Sequence, residues 1–346
     1  MKAIFCVPLI IICAATTEAL AENPPWLELA GGVPNFVARM EKEREATVAF
    51  IGGSITQNAK GHNAMVPAWL RENWSDVDFT FINAGLSSTC SQSGAFRLDR
   101  DVLSKGDVDL LVVEFAVNDD QDAGHSQERA ARGLEGIVRQ YFAANPTGDM
   151  ISVQFVNLSI LDKLKAGDEA ISVAAHKSVA RHYQIPSVDV GLALSAEIES
   201  GRMSWKENYG GVHPNQEGYR FASDLIISVI EDTISGETPQ VVSLRDPLDP
   251  AHYGNARLVD PQDVNWLGGW QWAPVSRQLL PTGGIRSDYE KFHALRSDEV
   301  GSYLYYSFQG SFLGAFVLAG PDAGVLEVSI DAGPWQPVDL FHRYSE

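Results

Sequence analysis

The stretch "VAFIGGSITQNAKG", Val48 to Gly61, runs four apolar residues straight into two glycines and a serine. Val48 to Ile51 is the kind of short apolar run that fills the middle of a parallel sheet, and Gly52-Gly53 permits a turn too sharp for residues with a Cβ. Ser54 is thereby left at the carboxyl end of a strand. In open α/β sheets ligands bind at that end, so Ser54 reads as a nucleophile on a tight strand-to-helix turn. The same serine also reads as a helix N-cap, and this stretch alone leaves both readings open.

Working outward, strand-like and helix-like segments alternate from residue 48 to about 232. The strands are "DFTFINA" (Asp78 to Ala84), "DLLVVEFAV" (Asp109 to Val117), "MISVQFVN" (Met150 to Asn157) and "IPSVDV" (Ile185 to Val190). Helical spacing marks Gln127 to Asn145, Ala170 to Tyr183 and Asn215 to Ile234. Such alternation predicts an α/β domain, a parallel sheet with helices on both faces. After "SGETPQ" (Ser235 to Gln240) the pieces Ser302 to Gly310, Phe312 to Gly320 and Val325 to Asp331 read as strands between Gly, Pro and Asp turns. They predict a smaller β-sandwich domain. The chain stops at "DLFHRYSE" without an obvious closing strand, which reads as a truncated sandwich. The predicted organisation is a leader over 1–21, a catalytic domain over 22–238 and the β domain over 239–346.

The leader reading rests on "MKAIFCVPLIIICAATTEALA": one lysine, an apolar run from Ala3 to Ala15 and a small-residue cleavage site at Ala19-Leu20-Ala21. The apolar run is short for a membrane span, so export to the periplasm or medium is expected rather than membrane insertion. Cys6 and Cys13 fall in this leader, leaving Cys90 alone in the mature chain without a disulfide partner. A formal charge of −19 argues against nucleic acid and anionic membrane surfaces as partners and suits a neutral or cationic substrate. Oligomeric state is not legible.

Three further positions fall at strand ends or at a helix start: Gly85 in "NAGLSST", Asn118 in "VNDD" and His213 in "GGVHPNQEGY". With Ser54 they share one edge of the predicted sheet. Acyl transfer needs a nucleophile, a base and oxyanion donors. A serine hydroxyl does not attack unaided, and His213 fits as the group that takes and returns its proton. The Ser54 and Gly85 backbone N–H groups and the Asn118 amide fit as the oxyanion donors.

These blocks resemble the SGNH hydrolases, or GDSL esterase/lipase family. "IGGSIT" resembles the serine block, "INAGLSS" the glycine block, "FAVND" the asparagine block and "VHPNQEGY" the histidine block, in family order over about residues 46 to 234. The resemblance implies a three-layer α/β/α sandwich and ester hydrolysis. The string from Gly94 to Asp119 and the β domain resemble secreted carbohydrate-directed esterases. Two positions depart from the family pattern: Gly53 stands where an acid usually precedes the serine, and Gly210 where an aspartate usually orients the histidine. A Ser54–His213 dyad is therefore expected, oriented by a carbonyl, water or another acid; Glu207 is the nearest acid before His213 in sequence.

The expectation is a serine esterase removing acyl groups, foremost acetyl, from carbohydrate or a small ester. An O-acyltransferase to sugar hydroxyls, or a decayed hydrolase that still binds carbohydrate, are the alternatives. Asp119 reads as structural, and Cys90 as a small packed residue because no basic partner is evident. The remaining histidines (62, 125, 176, 182, 252, 293 and 342) show no metal-ligand spacing, so neither a metal nor another cofactor is expected. "WLGGWQW" (Trp266 to Trp272) reads as β-domain core or as a sugar-stacking platform.

Overall fold

A computed structural model describes residues 23–233, 240–279, 284–287, 289–320 and 323–341. The expected leader, the end of "DLFHRYSE" and His342 lie outside these residues. The chain divides into two compact units, one ending at Arg257 and the other starting at Leu258.

In the first unit the strands are β1 (Leu27–Glu28), β2 (Glu45–Gly52), β3 (Asp78–Gly85), β4 (Leu110–Glu114), β5 (Asp149–Gln154) and β6 (Ser187–Asp189). They form one sheet in the order β1-β6-β5-β4-β2-β3. All pairs are parallel except β1 with β6. The helices are α1 (Pro34–Glu43), α2 (Ser54–Gln57), α3 (His62–Asn73), α4 (Ser91–Asp101), α5 (Ala116–Gln121), α6 (Gln127–Ala144), α7 (Leu158–Lys165), α8 (Ile171–Tyr183), α9 (Val190–Glu199) and α10 (Gln216–Glu231).

Strand alternation splits the core into two layers, because successive side chains of a strand point to opposite faces. Val48 and Phe50 of β2 join Leu110, Val112, Ile151 and Val153 against α1, α3, α7, α9 and α10. Ala49 and Ile51 join Leu111, Val113 and Met150 against α4, α6 and α8. This is the expected α/β/α sandwich. The β4 and β5 strands are buried along their whole length, which is why they read as unbroken apolar runs rather than alternating ones.

The segment from Gln240 to Arg257 marks the difference between the expected boundary at 239 and the observed division. Val242, Leu244 and Tyr253 pack on the layer that holds α6 and α8. The buried Glu135 of α6 accepts the backbone N–H groups of Leu248 and Asp249. The strap is irregular, with no periodicity to tie it to the domain before it.

In the second unit β7 (Asn265–Leu267) pairs with β10 (Tyr303–Tyr305), β8 (Gln271–Pro274) with β9 (His293–Arg296), and β11 (Val325–Val328) with β12 (Gln336–Asp339). All three are antiparallel. The expected strand from Phe312 to Gly320 is irregular, and only Tyr303–Tyr305 of the expected strand at Ser302 to Gly310 is extended in a ladder. Trp266, Trp270 and Trp272 are each half-buried, with Trp272 stacked on His293 at 5.6 Å between ring centroids.

Candidate active site

The turn after β2 is built by what fills the space beside its glycines. A Cβ on Gly52 would lie 2.6 Å from the Glu114 carbonyl oxygen and overlap Thr56 Oγ1; one on Gly53 would overlap Asn118 Oδ1 and lie 2.7 Å from its Cγ. Neither position accepts a side chain, so the acid that usually precedes the serine has no room here. Ser54 opens α2 as its first residue, where its backbone N–H has no partner within the helix. Gly53 is the N-cap, without a side-chain cap, and the Ser54 hydroxyl is 2.8 Å from His213 Nε2. The hydroxyl therefore faces a base instead of capping a helix.

His213 arrives on the loop between a single π turn at Trp205–Tyr209 and α10. Asn215 fixes that loop at both ends. Its side-chain oxygen caps α10 by accepting the Gly218 N–H at 3.0 Å, its Nδ2 donates to the Glu207 carbonyl at 2.9 Å, and its own N–H donates to the Tyr209 carbonyl at 2.9 Å. Gly210 lies in the left-handed region at φ +97°, and a Cβ there would lie 2.7 Å from Asn215 Cβ and overlap its backbone nitrogen. An aspartate at 210 is excluded by this loop conformation. Among the described residues no group is hydrogen-bonded to His213 Nδ1, and Glu207 meets this loop through its backbone alone.

Gly85 ends β3 in register with Gly52. It must be glycine because a Cβ would lie 2.5 Å from Gln57 Cα at the end of α2. Its N–H donates to Asn83 Oδ1 at 2.9 Å, an engagement the sequence did not indicate. Asn118 sits on α5, 3% exposed, and its Nδ2 donates to Asp122 Oδ2 at 2.6 Å. An amide nitrogen carries two donors, so one remains after Asp122 is served.

Two buried charged residues brace the site from behind. Arg97, 2% exposed on α4, donates to the Ala84 carbonyl at 2.7 Å, the Gly52 carbonyl at 2.9 Å and the Asp101 carboxylate at 2.9 Å. It ties together the carboxyl ends of β2 and β3, which carry the turn and Gly85. Glu114, fully buried at the end of β4, accepts Thr56 Oγ1–H at 3.1 Å. Burial pushes its carboxyl up to about 7, against the opposing pull of Thr56 and the Gly53 backbone.

Asp119 follows Asn118 and is fully buried. It accepts the Ser91 N–H at 2.8 Å and binds His176 Nε2 at 2.9 Å, with His125 Nδ1 at 3.3 Å. Burial alone would raise its carboxyl, but the two histidines outweigh that and hold it down at about 2. Cys90 shares this cluster with His125, so the basic partner that its sequence surroundings did not show is supplied from the loop before α6. His62, by contrast, is enclosed by Phe50, Phe155 and Tyr219, and burial lowers its imidazole to about 3.

Residues 50–221 match the family model described as GDSL-like lipase/acylhydrolase. Among solved structures, the chain is similar to a two-domain esterase active on acetylated mannans. One structure of it is 25% identical, covers 73% of this chain and 69% of that one, and has a TM-score of 0.59. Another, co-crystallised with mannopentaose, is 24% identical over 73% and 68% of the two chains with a TM-score of 0.60. No curated protein matches the chain. Through residues 50–221 the chain belongs to the GDSL-like lipase/acylhydrolase family, and it is a carboxylic ester hydrolase.

Proposed function

We propose that the chain is an exported serine esterase that removes acyl groups, foremost acetyl, from carbohydrate. The observation that carries this is the 2.8 Å separation of Ser54 Oγ and His213 Nε2 at the carboxyl edge of the sheet. The hydroxyl attacks the ester carbonyl while Nε2 takes its proton; the same proton is then returned to the departing sugar oxygen. Water repeats the sequence in reverse on the acyl-enzyme. The tetrahedral oxyanion is met by the Ser54 N–H and the free donor of Asn118 Nδ2, and the Gly85 N–H joins them when Asn83 lets go of it.

Among the described residues no carboxylate backs His213, so the site works as a dyad whose imidazolium is stabilised by solvent, in keeping with the exposure of His213. The missing acid favours a second reading, a decayed hydrolase that only binds carbohydrate. The base poised on the nucleophile speaks against it.

Carbohydrate is supported by the likeness to the acetylated-mannan esterase and by the acidic chain, which suits neutral polysaccharide better than anionic ligands. Export is supported by the leader-like residues 1–21. The test is acetate release from acetylated manno-oligosaccharides, compared with acetylated xylo-oligosaccharides. Release that depends on Ser54 upholds the proposal, whereas oligosaccharide binding without any release leaves the decayed reading.

A further inference from the structure

One residue beyond Asn118, two loops bring three ligand-type side chains together. Cys90 Sγ, an Asp119 carboxylate oxygen and a His125 ring nitrogen all lie within 4.8 Å of one another. They come from the loop after β3, from α5 and from the loop before α6, so no sequence spacing announces them.

Hydrogen bonding leaves this cluster incomplete. The His125 side chain is 4% exposed, and its Nδ1 is 3.3 Å from Asp119 Oδ1. Yet Nδ1 makes only an ionic contact there and no aligned hydrogen bond, and the neighbouring buried Ser91 Oγ likewise has no hydrogen-bond partner. Buried nitrogens are nearly always satisfied, so a missing partner needs a physical account. Asp119, in contrast, is firmly presented: Ser91 N–H holds one oxygen and His176 Nε2 the other. Outer partners of this kind orient a metal-binding carboxylate.

We propose that Cys90, Asp119 and His125 form a binding site for a thiophilic divalent cation of the zinc class. A thiolate, an imidazole and a carboxylate are the donor types zinc takes, while calcium and magnesium prefer oxygen alone. Cys90 is half-buried, so the cluster is not wholly sealed from solvent. Metal–ligand lengths of about 2.0–2.3 Å place tetrahedral ligands ~3.5 Å apart, so the cluster closes by roughly 1 Å on binding. His125 follows Gly124, at φ +56°, and its own N–H donates to the Asp119 carbonyl at 2.9 Å, so the closure falls to side-chain rotation. Binding displaces the thiol proton to solvent. The site is independent of the Ser54–His213 reading, although its ligand Asp119 adjoins Asn118.

The test uses the full chain, stripped with a chelator and titrated with Co²⁺ and then Zn²⁺. A thiolate-to-cobalt charge-transfer band saturating at one equivalent and displaced by Zn²⁺ is expected. The band should vanish in Cys90→Ser, which retains a favoured N-cap residue for α4, and affinity should fall at least about tenfold in His125→Gln. Zinc should raise the melting temperature of the wild type and leave that of Cys90→Ser unmoved. Absence of the band in the stripped wild type would overturn the proposal, as would a band of equal strength in Cys90→Ser.

Discussion

The Asn118 side chain occupies the space that a side chain on Gly53 would need, its Cγ standing 2.7 Å from where that Cβ would lie. The glycine that departs from the family pattern and the asparagine that follows it are one packing unit. Gly53→Ala or Gly53→Asp should push Asn118 off its position, and kcat for a small ester should fall about 10²–10³-fold, the usual loss for one oxyanion donor. Steady-state kinetics on protein with an unchanged circular dichroism spectrum checks this. Retention of near wild-type kcat would show that Asn118 has slack.

Gly210→Asp restores the family residue on paper but not in space. At φ +97° and against Asn215, the aspartate must distort the histidine loop. The expected outcome is a loss of about 1–3 kcal/mol in urea unfolding and no gain in kcat. A rise in kcat would mean that the loop rearranges to accept a triad.

Arg97 holds the carbonyls of Gly52 and Ala84 with one buried guanidinium. Lysine cannot reproduce that fork. Arg97→Ala should cost about 3 kcal/mol, because the buried Gly52 and Ala84 carbonyls each lose a charged donor while Asp101 keeps Arg100, and Arg97→Lys should recover only part of it. Urea denaturation followed by tryptophan fluorescence reads this directly.

Glu114 should subtract stability as pH rises between the ordinary glutamate value of 4.5 and about 7. The buried neutral His62, lowered to about 3, adds stability as pH rises toward the ordinary histidine value of 6.5, so the Glu114 contribution is read as the difference from Glu114→Gln. Burial raises the Glu114 carboxyl in the folded chain, so the folded state binds a proton that the unfolded state has released, and through this group each pH step upward in that window costs stability. Asp149, raised to about 7 mainly by burial, acts in the same direction. Asp119 acts the opposite way, but only below the ordinary aspartate value of 3.8, as pH falls toward about 2. Glu114→Gln should remove on the order of 3 kcal/mol of this dependence at most. Comparing urea midpoints at about pH 5 and about pH 8 for wild type and Glu114→Gln measures it.

The fold was legible because it rests on local rules, and Ser54 and His213, which the structure places 2.8 Å apart, were singled out by the sequence blocks that carry them. Buried parallel strands write continuous apolar runs, and a Gly-Gly-Ser turn after such a run leaves few alternatives to a strand-end serine. What was hidden is non-local. The two-residue β1 is too short to carry a period. Arg97 sits in a polar-looking helix and reads as a solvated charge, though it reaches two strand ends. Asn83 on the Gly85 N–H, Asp122 on Asn118 and His125 beside Cys90 depend on loops brought together only by the finished sheet. The same holds for the strap after Gln240, whose irregular chain joins the first unit through Glu135 and the α6 and α8 layer.

The central claim is that Ser54 and His213 are nucleophile and base without a third acidic member. Its most direct measurement is hydrolysis of p-nitrophenyl acetate by the wild type, Ser54→Ala and His213→Ala, with each variant shown to be folded. The account predicts a wild-type rate that falls by on the order of 10⁴–10⁶-fold in either variant. Equal rates in wild type and variants would contradict it.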